Sequence, residues 1–99
     1  NNNMSYKVRT KYTKPNAEVS LHTPPADYTN LINSYFEAGR ITQKPVETID
    51  GLNYTYEIIF ARESDFKDFC LDPAANENFT IRQNHCNSNS ISYSLEQGV

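Results

Sequence analysis

One stretch limits what this chain can fold into more than any other: Val46 to Arg62, VETIDGLNYTYEIIFAR. Strand side chains alternate between two faces, so Leu52, Tyr54, Tyr56, Ile58 and Phe60 share one face while Asn53, Thr55, Glu57, Ile59 and Ala61 share the other. The first face is large and apolar and must be covered. Asp50-Gly51 suits a two-residue hairpin turn, whose central positions need a positive φ that Gly tolerates and Asp resists least. Such a turn pairs Ile49 with Leu52, Glu47 with Tyr54, Val46 with Thr55 and Lys44 with Glu57. Pro45 has no N–H to donate, which places Ile41 to Ile49 at a sheet edge.

Upstream, Ser5 to Thr13 alternates as well, with Tyr6, Val8, Thr10 and Tyr12 on one side and Lys7, Arg9 and Lys11 on the other. Lys14-Pro15-Asn16 breaks this strand, and Val19 and Leu21 are the apolar anchors of the loop that follows. A helix is expected from Pro24 to Ala38, capped by Thr23 and ended by Gly39. Its Tyr28, Leu31, Ile32, Tyr35 and Phe36 recur at helical spacing and form one stripe to be buried. After Arg62 the period becomes helical again, with Ser64 as cap and Phe66, Phe69 and Cys70 facing inward. Asp65, Asp68 and Asp72 read as an acidic, solvated first turn and a cap. Asp72-Pro73 is a second start signal, so this helix kinks or restarts there and continues to about His85, with Ala75, Phe79 and Cys86 inward. Asn84 to Ser90 is turn chemistry, and Ile91 to Leu95 alternates as a last strand.

Ninety-nine residues, 37% hydrophobic and 21% charged, fit one domain with a thin core, a size at which association with a second copy often adds stability. Asn1-Asn2-Asn3 read as an expression remnant before a start at Met4, leaving residues 4–99 as the domain. No apolar run is long enough to span a bilayer and no signal-peptide pattern opens the chain, so the expectation is a cytoplasmic protein without a membrane partner. Cys70 and Cys86 fit two buried thiols better than a disulfide in that compartment. The three Asn-x-Ser/Thr matches carry no weight in so Asn-rich a chain. A net charge of -3 argues against nucleic acid, which is bound by neutralising phosphates. Tyr54 and Tyr56 sit where RNA-recognition domains stack bases, but Asn53 to Phe60 lacks their basic, Gly-rich pattern. Both tyrosines are expected to pack under the helices, their hydroxyls reaching the sheet margin.

Strand, helix, strand, strand, helix, strand in one small domain specifies an α+β, ferredoxin-like βαββαβ sandwich, a four-stranded antiparallel sheet with its helices on one face. Tyr6, Val8, Tyr12, Tyr54, Tyr56, Ile58, Phe60, Ile91, Tyr93 and Leu95 line the covered face. With Gly39-Arg40-Ile41, the Asp50-Gly51 hairpin, DFKDFCLDP at Asp65 to Pro73 and the Asn-rich approach to the last strand, the chain resembles the small ferredoxin-like proteins that pair sheet to sheet as dimeric α+β barrels. The resemblance spans Ser5 to Gln97 and implies a homodimer with a cavity between sheets. That group includes cofactor-independent monooxygenases, haem-degrading enzymes and isomerases. The chain has no Trp, which some of those monooxygenases place near substrate, and no catalytic set of theirs maps onto it.

Candidate ligand-binding residues lie mainly on the uncovered sheet face. Lys7, Arg9 and Lys11 share it with Lys44 across the sheet, and Arg9, enclosed by a second copy, would clamp a carboxylate or phosphate through its paired donors. Glu57 on the same face is also a candidate, lining such an enclosed pocket with Arg9 and a His; left solvated, the row would pair with it. His22, just before the helix start, is the acid–base candidate, with His85 second. The two His and two Cys have no zinc spacing and no cofactor is indicated. Two functions follow: a homodimer that binds a partner or small, anionic ligand through the open sheet face, or a cofactor-independent enzyme, a monooxygenase or isomerase, acting in an inter-sheet cavity.

Overall fold

In a computed structural model that describes residues 4–99, the chain runs β1 (Tyr6–Thr13), α1 (Ala26–Glu37), β2 (Ile41–Asp50), β3 (Asn53–Phe60), α2 (Glu63–Leu71), α3 (Pro73–Ser88) and β4 (Ser92–Gln97). The three leading asparagines, and with them the proposed expression remnant, lie outside the described residues. The strands form one antiparallel sheet in the order β2-β3-β1-β4, the ferredoxin-like arrangement, with β2 at an edge as Pro45 requires. The second helix is split at Asp72-Pro73, where Asp72 accepts from the Ala74 N–H at 2.9 Å and Pro73 takes the first helical position.

The hairpin turn differs from the Asp50-Gly51 expectation. Asp50 pairs with Asn53, Ile49 with Tyr54 and Val46 with Glu57, so the turn residues are Gly51 and Leu52. Gly51 has φ +61° and Leu52 a negative φ, the II′ form that needs only its first residue left-handed. β2 then departs from regular pairing: Gln43 pairs with Ile59 and Val46 with Glu57, so three steps along β2 match two along β3. The surplus is a β-bulge at Lys44-Pro45, where the missing Pro N–H costs no ladder bond.

Helix starts differ as well. α1 has Pro25 in the cap position, so Thr23 lies outside it, and α2 has Arg62 there, so Ser64 lies inside the first turn. α3 runs to Ser88, absorbing residues expected to be a turn, and the chain reverses through Ser90 at φ +56°. Gly39, at φ +75°, ends α1 by donating to the Phe36 carbonyl at 3.0 Å while Arg40 N–H reaches the Tyr35 carbonyl at 2.8 Å.

The covered sheet face meets the helices in two packed groups. Val8, Ile32, Ile41, Phe60, Phe66, Phe69 and Ala75 form one; Tyr12, Cys86 and Ile91, with Val19, Leu21 and Tyr93 against them, form the other. Phe60 and Phe69 are fully enclosed and lie edge to face, and truncating a ring in such a site costs about 3–5 kcal/mol. Phe36, expected in the buried stripe, is instead 42% exposed. The acidic turn of α2 is solvated only in part: Asp68 stays exposed while Asp65 is buried, and Arg40 donates to both, Nε to Asp65 at 2.7 Å and Nη2 to Asp68 at 2.5 Å. Arg40 also lies over Tyr35, 4.5 Å from its ring centre, so one guanidinium ties the α1–β2 step to α2.

Candidate functional site

The sheet places the six candidate residues in two separate regions. On the open face Arg9 stands on β1 opposite Glu57 of β3 and Glu96 of β4, and its Nε and Nη1 donate to them at 2.6 and 2.9 Å. Lys7 lies 3.8 Å from Glu57 and Lys11 3.6 Å from Glu96. The hydrogen bonds from Arg9 hold both carboxyls below the ordinary range. The row is thus an interleaved charge ladder across three strands, and an incoming anion has to displace a carboxylate from Arg9. Glu96 lies one residue past the strand expected to end at Leu95, so its part in the ladder was not foreseen. Lys44 does not belong to this face. The bulge turns it and Pro45 toward the helices, where Lys44 Nζ lies 4.9 Å from the Phe36 ring, and Gln43 takes the open-face position beside Ile59.

On the covered side a cleft of about 400 Å³ separates the two packed groups. Ile32, Ile58 and Tyr28 wall it from one group and Tyr12, Tyr56 and Leu21 from the other. Its polar lining comes from Thr10, Thr29 and Asn33, and from His22 in the β1–α1 loop, Asn78 and Arg82 on α3, and Lys44 at the bulge. A cleft of this size with mostly apolar walls and few polar groups has the anatomy of a small-molecule site. A wider depression of about 690 Å³ between α1 and the start of α3 is shallow, solvent-open and edged by Asp27, Asp72 and Glu77, and lacks such walls.

The β1–α1 loop is fastened so that His22 enters the cleft. Asn16 turns it by accepting from the Glu18 and Val19 N–H groups, and the His85 ring binds the Ser20 carbonyl at 2.7 Å. His85, the second acid–base candidate, is therefore a latch between loop and α3. His22 Nε2 lies 3.1 Å from Asn78 Oδ1, and Asn78 is only 3% exposed. With an amide oxygen as partner, Nε2 carries the proton and Nδ1 presents a lone pair. That Nδ1 is buried without a hydrogen-bond partner. Burial lowers the His22 pKa below its usual 6.5, so the ring is neutral and able to accept a proton.

Arg82 crosses the cleft's α3 side between Phe79 and Tyr93, 5.0 Å from each ring centre, and its Nε is likewise buried without a partner. Burial raises the Tyr12 hydroxyl above its usual pKa and Tyr28 to about 12, so both stay protonated donors. Tyr56 donates to Glu47 at the sheet margin while its ring walls the cleft. Among the described residues no group of three or more His, Cys, Asp or Glu could hold a metal, and burial pushes the Cys70 and Cys86 thiols up, away from thiolate chemistry. No helix is long and apolar enough to cross a membrane.

No protein-family model and no curated protein matches the chain in sequence. Solved structures do match it in fold. Protein SO0527 from Shewanella oneidensis superposes with a TM-score of 0.61 at 13% identity, covering 97% of this chain and 90% of that one. A protein provisionally described as an antibiotic biosynthesis monooxygenase from Caulobacter crescentus gives 0.56 at 8% identity, covering 96% and 89%. SnoaB, a cofactor-independent oxygenase from Streptomyces nogalater, gives 0.52 at 10% identity, covering 93% and 90%. The superpositions, at identities this low, establish a shared ferredoxin-like fold alone.

Proposed function

We propose that the chain binds a small organic molecule in the cleft between sheet and helices and acts on it as a cofactor-independent enzyme of the monooxygenase type. One observation carries this reading: the core of a very small domain is divided by a mostly apolar cleft into which a neutral histidine, a buried amide and an arginine converge. His22 Nδ1 supplies the base such chemistry needs, because taking a proton from a substrate hydroxyl leaves an electron-rich anion, the form that reacts with dioxygen. The shared fold with SnoaB supports that choice of reaction. The site differs in place from the inter-sheet cavity expected from sequence: it lies inside one chain, beneath the helices.

The test is a panel of one- to three-ring aromatic molecules, scored by saturable binding and then by oxygen uptake. Asn33→Trp, on the α1 wall, is expected to fill the cleft and abolish both. Binding that is absent throughout, or unchanged in Asn33→Trp, refutes the cleft as the site. Binding without oxygen uptake removes the oxygenase assignment alone.

The open sheet face is read as the contact between two copies. Val46 is 50% exposed there opposite Glu57, with Ile59 two residues further along β3, and the charge ladder next to them alternates in sign, so an antiparallel second copy can meet it with opposite charges.

A further inference from the structure

We propose that the cleft selects a hydroxylated aromatic carboxylate, with its carboxylate on Arg82 and Lys44 and its hydroxyl donating to His22 Nδ1. This rests on the cleft being the binding site and specifies its ligand. In a chain of net charge -3, the cleft is lined by two cations and, among the described residues, by no carboxylate. Of the other cations, Lys7, Arg9, Lys11, Arg40, Arg62 and Lys67 each face a carboxylate, and Lys14 lies outside the cleft, over the Tyr54 ring and donating to its hydroxyl. Among the described residues neither Arg82 nor Lys44 forms an ion pair. Both lie over aromatic rings instead, an arrangement that holds a cation in place without neutralising it.

Two buried polar atoms then specify the ligand further, because each costs free energy until it is paired. Arg82 Nε is a donor without an acceptor, and His22 Nδ1, set by the Asn78 contact, is an acceptor without a donor. A ligand satisfying both must carry an acceptor and a donor on one body. The walls fix the body: Tyr12, Tyr28, Tyr56 and Ile58 supply aromatic rings and a branched aliphatic surface, which favour a flat aromatic frame. A neutral hydrocarbon would leave both atoms unpaired, and a simple inorganic anion would leave the apolar walls wet.

The probes are 6-hydroxy-2-naphthoate, whose hydroxyl cannot reach its own carboxylate, its methyl ester, 2-naphthoate and 2-naphthol, titrated calorimetrically against the full chain. The hydroxynaphthoate is expected to bind at least about tenfold more tightly than the ester or the naphthol, the worth of one charge-assisted hydrogen bond. Naphthoate is expected to lie between. Arg82→Gln should remove the preference for carboxylate over ester. Because Arg82 also packs between two rings, Lys44→Gln at the exposed mouth is a second variant, and the preference must shrink there too. Ester or naphthol binding as tightly as the hydroxynaphthoate overturns the anion assignment while leaving the cleft as the site. Naphthoate equal to hydroxynaphthoate overturns the hydroxyl contact. If no probe binds, the cleft reading falls together with this one.

Discussion

Arg9 is the residue whose contribution can be read out most directly. Its hydrogen bonds hold Glu57 and Glu96 below their usual pKa of 4.5, so on acidification the unfolded chain takes up protons first. The stabilisation is complete above about pH 4.5 and is lost as pH falls through the lower, folded values. In Arg9→Gln the Tm should therefore fall less steeply than in the wild type as pH drops from about 5 to 3; parallel curves would refute the coupling. The effect is small, since these groups are solvent-screened. Arg9 and Glu57 were legible because strand alternation puts them on one face. Arg82 and Asn78 were not, although they fall on the side of α3 that Ala75, Phe79 and Cys86 mark as inward, because a polar residue there is read as the margin of the stripe and not as part of it. Asn78 in particular is a buried amide, a role that pattern reading gives to apolar residues.

At the scale of elements, the order, the sheet edge and the break at Asp72-Pro73 follow from alternation, proline chemistry and capping. Asp72 has a specific test. It covers the first free N–H of α3, so Asp72→Ala should cost about 1 kcal/mol in urea unfolding, and Asp72→Asn, which keeps the acceptor, much less. Equal losses would show that the charge, not the cap, matters. What the sequence hid at this scale was register. Asp50-Gly51 and Gly51-Leu52 both give a two-residue turn, and the choice moves every cross-strand partner by two positions. The bulge was hidden for a related reason: Pro45 signals an edge, and an edge tolerates a bulge without demanding one. α3 outran its expected end because Asn and Ser, common in turns, are also tolerated in a helix held by packing, as Cys86 is here at 1% exposure.

At the scale of the molecule, the sheet has two unlike faces, one crossed by charge and one divided by a cleft. If copies meet through the open face, the 11.3 kDa chain should sediment at twice its mass, and Ile59→Lys, adding charge at its apolar spot, should return it to a single mass while leaving the cleft's ligand binding intact. A wild-type chain that sediments as a monomer across micromolar concentrations removes that assembly. The face assignments behind this picture were legible except at one place. Counting along β2 assigns Lys44 to the open face, and the additional residue of the bulge assigns it to the other.

That bulge makes the fate of Lys44 a question of parity. Removing Pro45 would leave Lys44 alone between the open-face positions Gln43 and Val46, so a regular strand would hold the lysine's charge on the cleft side, whereas smoothing the bulge with both residues kept would put Lys44 two steps from Val46 and carry that charge through the sheet. The pairing of this edge strand, not its composition, therefore decides whether the charge belongs to a pocket or to an assembly surface, and an alignment that reads β2 as a regular strand would credit it to the wrong one.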